Sequence, residues 1–416
     1  MASILIKNIK RLAQTQAGKE LIRGEKMKEL PSIENAFLLI ENDKIADFGK
    51  MEKAPERADE EIDATGKFVF PSFCDSHTHL VFAASREGEF VDRIKGLSYE
   101  EISARGGGIL NSARKLQKAE EEELYDQALQ RLEEAIHFGT GAIEIKSGYG
   151  LTVDSELKML RVIRRLKENT NVIIKSTFLG AHSIPMEFRS NREAYLDLVL
   201  NKMLPQIAGE GLADYIDVFC EKVAFSVEET ERILKAGAKY NLPAKIHTNQ
   251  FYSLGGIEMA VKYGAKSVDH LEVMTDEEIE VLKKSNTIPT LLPTAPFFLN
   301  QDHTPPARKM IDSGLGVALA TDFNPGTTPS VKMPFVLSLG CIKLRMLPEE
   351  VINATTINGA VAMDVENKVG SIEKGKIANI FITKKIPSLD YLPYACLLYT
   401  SPSPRDATLS RMPSSA

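Results

Sequence analysis

Phe68-Val69-Phe70-Pro71-Ser72-Phe73-Cys74-Asp75-Ser76-His77-Thr78-His79 is the stretch from which the fold can be read. Its first half is apolar and its end is polar. If it is a strand, side chains two residues apart point the same way. His77 and His79 then project together from one face at the strand's end, where two imidazoles can share a metal ion. The pair alone is weak evidence, because many such pairs are ordinary surface or core histidines.

The residues downstream repeat the pattern. Further apolar runs span Ala142–Lys146, Val172–Leu179, Tyr215–Glu221, Ala244–His247, Ser267–His270, Thr287–Leu292 and Val317–Asp322, the first being Phe73–His79. Segments of helical period separate them. Glu120–His137 carries Leu124, Ala128, Leu132 and Ala135 on one face. Asp154–Leu166 follows an Asp cap, and Ser226–Tyr240 follows a Ser cap with Glu229 three residues on. Thr275–Lys284, Pro306–Ser313 and Val331–Leu344 are further helices. Eight strands alternating with helices predict an α/β fold, a (β/α)8 TIM-like barrel.

In such barrels the working residues sit at the carboxyl ends of the strands. His77 and His79 end the first run, Lys146-Ser147 the second, Glu221 the fourth, His247 the fifth, His270 the sixth and Asp322 the eighth. His182 lies just past the third. Chance would not readily place so many metal-capable or proton-transferring groups at one rim.

Outside the barrel the pattern is β-like. Ile4–Leu12 alternates, and Ala36–Ile40 and Lys44–Phe48 flank a turn at Glu41-Asn42-Asp43. After Ala362, Val369–Ile372 and Ile377–Ile382 read as a hairpin and strand. Both chain ends are therefore expected to form a small β-sandwich: residues 1–68 and 364–395 around a barrel of 69–363. Residues 396–416 hold five Ser and three Pro. They read as a disordered tail unrelated to the rest, adding nothing to the site.

The chain has 416 residues, is 43% hydrophobic and carries a formal net charge of −6. This suits a large core and gives no reason to expect nucleic acid. No apolar run reaches membrane-span length, and the start lacks a signal peptide's apolar core. Cys74, Cys220, Cys341 and Cys396 form no C-x-x-C and read as reduced thiols of a cytoplasmic protein.

Three imidazoles and a carboxylate (His77, His79, His247 and Asp322) could hold one zinc or iron ion with room for water, lowering that water's pKa toward ~7. Asp322 could take the water's proton, and His270 could polarise a carbonyl. His270 bonded only to Asp269 or Glu272 is the structural alternative. His182 is a substrate-contact candidate. Arg86, on the loop after the first strand, is a carboxylate receptor by chemistry, although a lone Arg is more often a surface residue. Tyr149 could line a pocket or pack a turn. Arg105-Gly106-Gly107-Gly108 reads as a mobile loop at the mouth and lacks the context of a phosphate loop. His137 and His303 are bland.

The motifs His77-Thr78-His79-Leu80-Val81-Phe82-Ala83, Ser85-Arg86-Glu87, Lys146-Ser147-Gly148-Tyr149-Gly150, Gly180-Ala181-His182, Asp269-His270-Leu271-Glu272 and Thr321-Asp322-Phe323-Asn324-Pro325-Gly326 resemble the amidohydrolase superfamily. Within it they are most similar to the imidazolonepropionase family of histidine catabolism. The resemblance covers roughly residues 4–395. It implies one metal, zinc or iron, on His77, His79, His247 and Asp322. It implies substrate contacts from Arg86, Tyr149, His182, Gln250, Asn324, Gly326 and Thr327. The reaction it implies opens 4-imidazolone-5-propanoate to N-formimidoyl-L-glutamate by attack of metal hydroxide on the ring carbonyl. Arg86 would pair with the propanoate, and a homodimer is a family expectation. Position 250 is Gln where some similar members have Glu, so it cannot be a base. Two readings compete: an amidohydrolase acting on another cyclic amide or an aminated heterocycle, and a metal-free scaffold. Arg86 and Tyr149 argue against a bare heterocycle, and an intact ligand set argues against a scaffold.

Overall fold

In the computed structural model, described for residues 3–16, 18–396 and 400–401, all eight expected runs become parallel strands of one sheet. They are Phe73–Thr78, Thr140–Lys146, Ile173–Ala181, Tyr215–Cys220, Ala244–Thr248, Ser267–His270, Ile288–Leu291 and Ala318–Leu319. Neighbours in sequence are neighbours in the sheet, as helical crossovers dictate. The circle closes at the carboxyl end. Asp322 donates its backbone N–H to His77 at 3.1 Å, and His79 donates to Phe323 at 2.8 Å. The eighth strand is two residues long, much shorter than Val317–Asp322. By Asp322 the backbone has left the extended region, with φ +53°.

The helices fall where their periodicity predicts, with one change of cap. Helix Val153–Asn169 is capped by Thr152, whose hydroxyl accepts from the Ser155 N–H, so Asp154 lies inside the first turn. An Asp there still faces the positive end of the helix dipole favourably. Helices Val227–Ala238 and Asp276–Lys283 begin with full capping boxes, Ser226 with Glu229 and Thr275 with Glu278. Each satisfies two otherwise orphaned backbone groups reciprocally.

Strands from both chain ends build a second, mixed sheet. Ser3–Ala13 pairs with Ser32–Glu41 on one side. On the other it pairs first with Glu60–Asp63 and then with Lys67–Pro71. A register shift between Ile6 and Ile9 accompanies this change of neighbour. Ile6, Leu12, Leu38, Ile40, Val69, Ile380 and Ile382 form a core separate from the barrel's. The expected hairpin over 369–382 is not formed. Ile372 bridges Thr15, Ile377 bridges Lys44, and the strand itself is Ile380–Lys385. The local turn forms, with the Lys376 N–H donating to the Glu373 carbonyl at 3.2 Å, but its arms pair with the chain's first strands.

This sheet packs at the barrel's amino end, far from the strand tips. Phe381 stacks on Phe70 at 5.2 Å and meets Phe73 at 4.9 Å. Asn379 donates to the Gly141 carbonyl at 2.7 Å, so close that a Cβ at Gly141 would lie 2.0 Å from its Oδ1. Cys396 follows helix Tyr391–Ala395, and Thr400–Ser401 pair with Thr383 and Ile382. The expected disordered tail otherwise falls on residues 397–399 and 402–416, outside the described residues. No helix among the described residues is long and apolar enough to cross a membrane.

Candidate metal centre and substrate pocket

The barrel brings His77, His79, His247 and Asp322 together from the first, fifth and eighth strand ends. His77, His79 and His247 offer nitrogens within 4.8 Å of one another, and the nitrogens of His77 and His270 lie equally close to each other and to a carboxylate oxygen of Asp322. His247 Nε2 lies 3.4 Å from His79 Nε2. Asp322 Oδ1 lies 3.5 Å from His77 Nε2 and 3.7 Å from His79 Nε2. Ligands about 2.1 Å from a tetrahedral ion are separated by roughly 3.4 Å, so these edges fit a first-row metal ion. His77 Nε2 has no hydrogen-bond partner among the described residues despite full burial. A buried lone pair costs free energy unless something takes it up, and a cation at the centre of the cluster would do so.

The imidazoles are oriented from below. His77 donates from Nδ1 to Asp269 at 2.7 Å, and His247 donates from Nδ1 to Asp217 at 3.1 Å. Each bond turns Nε2 toward the shared centre, as is usual for metal-binding histidines. Burial, and then Lys146 and the neighbouring imidazoles, push His77 well below the ordinary histidine range. Burial and His182 do the same to His79. Both are thus neutral with a free lone pair. Burial raises Asp322 to about 6. Burial also opposes charge on His270, but Glu272, 3.3 Å from its Nδ1, and Asp322 push it up to about 9. The Glu272 bond leaves His270 Nε2 turned toward the cluster. The structural alternative for His270 therefore describes half of its bonding.

The backbone here is unusual. His270, Leu271 and Asp322 have φ of +87°, +69° and +53°. Such conformations cost of order 1–3 kcal/mol each and gather at functional sites.

A cavity above the cluster is lined by His79, Arg86, Tyr149, His182, Gln250 and Thr327 among others. It unites the expected contact residues except Gly326, which does not line it, with Ile109 and Phe219 added. Its only carboxylate among the described lining residues is Asp322. Arg86 is 5% exposed, and its Nε and Nη1 have no hydrogen-bond partner among the described residues. Glu89 Oε2 stays 3.7 Å away, because Glu89 Oε1 accepts from the Gly108 N–H and from Asn111. These bonds tie down the glycine loop expected to be mobile. Arg86 lies so close over Gly326 that a Cβ there would fall 1.7 Å from Nη2. His182 stacks on His79 at 5.0 Å and donates from Nδ1 to the Gly148 carbonyl. Burial and His247 push it down to about 3. Asn324 spends its amide on its own loop: Oδ1 accepts from Gly326 and Thr327, and Nδ2 donates to the Asp322 carbonyl.

Two rim candidates have other work. Lys146 points below the mouth, fully buried among carboxylates. Glu221 accepts the N–H groups of Phe251 and Tyr252, which fixes the loop carrying Gln250. His137 and His303 are exposed. Asp217, Glu144 and Lys245 were not singled out in the sequence, although a charged residue inside an otherwise apolar buried strand is the signal that marks each of them.

Comparison with known proteins matches residues 68–406 to the amidohydrolase family, a span that runs past Cys396. The imidazolonepropionase of Christiangramia forsetii is 59% identical over 94% of this chain and 96% of its own length. The chain belongs to the imidazolonepropionase family of amidohydrolases. Another member, from Flavobacterium johnsoniae, is 58% identical over 94% of this chain and 95% of its own. A solved triazine hydrolase variant shares the fold at a TM-score of 0.68 and 16% identity, covering 96% of this chain and 91% of that one. As a family member the chain is a metal-dependent hydrolase, and its buried His/Asp cluster is the candidate metal site.

Proposed function

We propose that the chain hydrolyses the ring amide of 4-imidazolone-5-propanoate to N-formimidoyl-L-glutamate, using one zinc or iron ion on His77, His79, His247 and Asp322. The observation that carries the substrate is Arg86, a buried guanidinium without hydrogen-bond partners for two nitrogens, lining the same cavity as the His/Asp cluster. Its natural complement is a carboxylate. The relatives named above carry the same activity in their names.

A bound ion supplies an acidified water and a Lewis acid for the carbonyl. The residues do the rest. Arg86 anchors the propanoate, which places the ring over the cluster. Asp322 accepts the attacking water's proton and delivers it to the departing ring nitrogen as the amide C–N bond breaks. The carbonyl carbon becomes a carboxylate and stays in the ring-opened product. His270, oriented by Glu272, faces the carbonyl oxygen. His182, neutral and donating from Nδ1 to Gly148, keeps Nε2 as an acceptor for a ring N–H. Tyr149 and Gln250 flank the ring, and Gln250 contributes hydrogen bonds without proton transfer. Gly326 leaves room for Arg86, and Asn324 with Thr327 shapes that wall. The barrel over 69–363 would carry this chemistry, with 1–68 and 364–395 as the supporting β-domain. A cytoplasmic homodimer is part of the same proposal.

The test follows the imidazolone absorbance with metal-replete and chelated protein. Chelation should lower turnover at least about 100-fold, and zinc or iron(II) should restore it. Full turnover by metal-free protein would overturn the proposal.

A further inference from the structure

Beneath the mouth, the barrel interior holds a closed set of ions. Glu144, Lys146, Asp217, Lys245 and Asp269 are each at most 1% exposed. Lys146 Nζ lies 2.6 Å from Glu144 Oε1, 2.8 Å from Asp217 Oδ2 and 3.6 Å from Asp269 Oδ2. Asp217 holds His247 and Asp269 holds His77. One ammonium therefore touches both carboxylates that orient two of the histidines at the centre. Asp217, His247 and Asp269 could themselves pass for a metal-binding group, but Lys146 already supplies the cation there. Lys245 is the natural comparison. It pairs with Glu144 and lies 3.5 Å from the Ser76 carbonyl, and no ion pair joins it to either histidine-bound carboxylate.

Two carboxylates buried this close cannot both stay ionised and fixed without a cation between them, since an uncompensated buried charge costs several kcal/mol. We infer that Lys146 is a positioning residue that locks the Asp217–His247 and Asp269–His77 pairs as one unit, so that both Nε2 atoms converge on the metal. This inference rests on the proposed metal site. Without Lys146 each carboxylate is free to turn to another donor, and the two imidazoles lose their common aim. Orienting groups of this kind typically cost 10–100-fold in metal affinity when removed.

The test loads apo-protein with cobalt(II). It compares the parent, Lys146→Met and Lys245→Met by ligand-field absorption and by the rate of cobalt loss to a chelator. The parent should take up one equivalent. Lys146→Met should change the ligand-field bands and lose cobalt at least about 10-fold faster, while Lys245→Met keeps the parental spectrum and rate. In Asp217→Asn and Asp269→Asn backgrounds the Lys146 effect should shrink, because it acts through those groups. A parent that binds no stoichiometric cobalt overturns the metal site itself. Parental cobalt retention by Lys146→Met, or equal losses in both lysine variants, overturns only the positioning role. Lys146→Gln, which keeps one donor, is the second variant. If circular dichroism shows both Lys146 variants unfolded, the residue belongs to folding and the inference fails.

Discussion

Asp322→Asn is expected to lower kcat about a thousandfold, within the range for losing a positioned general base. The geometry makes the substitution clean. Asp322 is held by its backbone N–H to His77 and by its carbonyl to Asn324, neither of which the side-chain change touches. Its Oδ1 sits 3.5 and 3.7 Å from two imidazole nitrogens. Asn reproduces the shape and retains one oxygen as a weak ligand, but it cannot carry a proton away. Because Asp322 is proposed both as ligand and as base, the measurement is steady-state turnover across a zinc titration, with bound metal quantified at each point. A plateau about a thousandfold low with a full equivalent bound supports the base role. Recovery to parental turnover at high zinc would reduce Asp322 to a ligand.

Arg86→Met should lower kcat/KM for the propanoate substrate about 30-fold or more, mostly through KM. Truncating one partner of a buried charge pair costs 2–5 kcal/mol or so, and 2 kcal/mol is about 30-fold. A second readout separates recognition from architecture. In the free protein two guanidinium nitrogens are buried without hydrogen bonds among the described residues. Apolar replacement of a buried charge whose donors lack partners removes a desolvation cost. The melting temperature of Arg86→Met should therefore hold or rise while affinity falls. A substrate analogue without the carboxylate should react equally with both proteins. An unchanged KM, or a lower melting temperature with an equal loss on the analogue, would remove Arg86 from substrate recognition.

Much of the molecule was legible before folding. The eight strand runs and the rim histidines followed from short apolar runs ending in polar residues, because strand periodicity and barrel topology put those ends on one face. The cap at Ser226, with Glu229 three residues on, was local and was read correctly. The readings that changed depend on distant partners. Val369–Ile372 turns back locally but forms no hairpin ladder, because Ile372 bridges Thr15 instead. Thr152 caps the helix that Asp154 was expected to cap, a shift of two residues that only the backbone turn settles. Lys146 looked like a rim residue because it ends a run, yet its buried ion pairs hold it beneath the mouth.

The chain's own order of residues determined the kind of fold, the metal-capable donors and their common rim, since those follow from periodicities of two and 3.6 that act over a few residues. Only the tertiary structure decided which nitrogen each histidine presents, how Arg86 comes to be buried without hydrogen bonds for two nitrogens, and why one lysine serves two histidines. The physical reason is closure of the barrel. Residues 77 and 322 are brought into contact by backbone bonds between the first strand and the end of the eighth, and no local pattern encodes a distance across that seam.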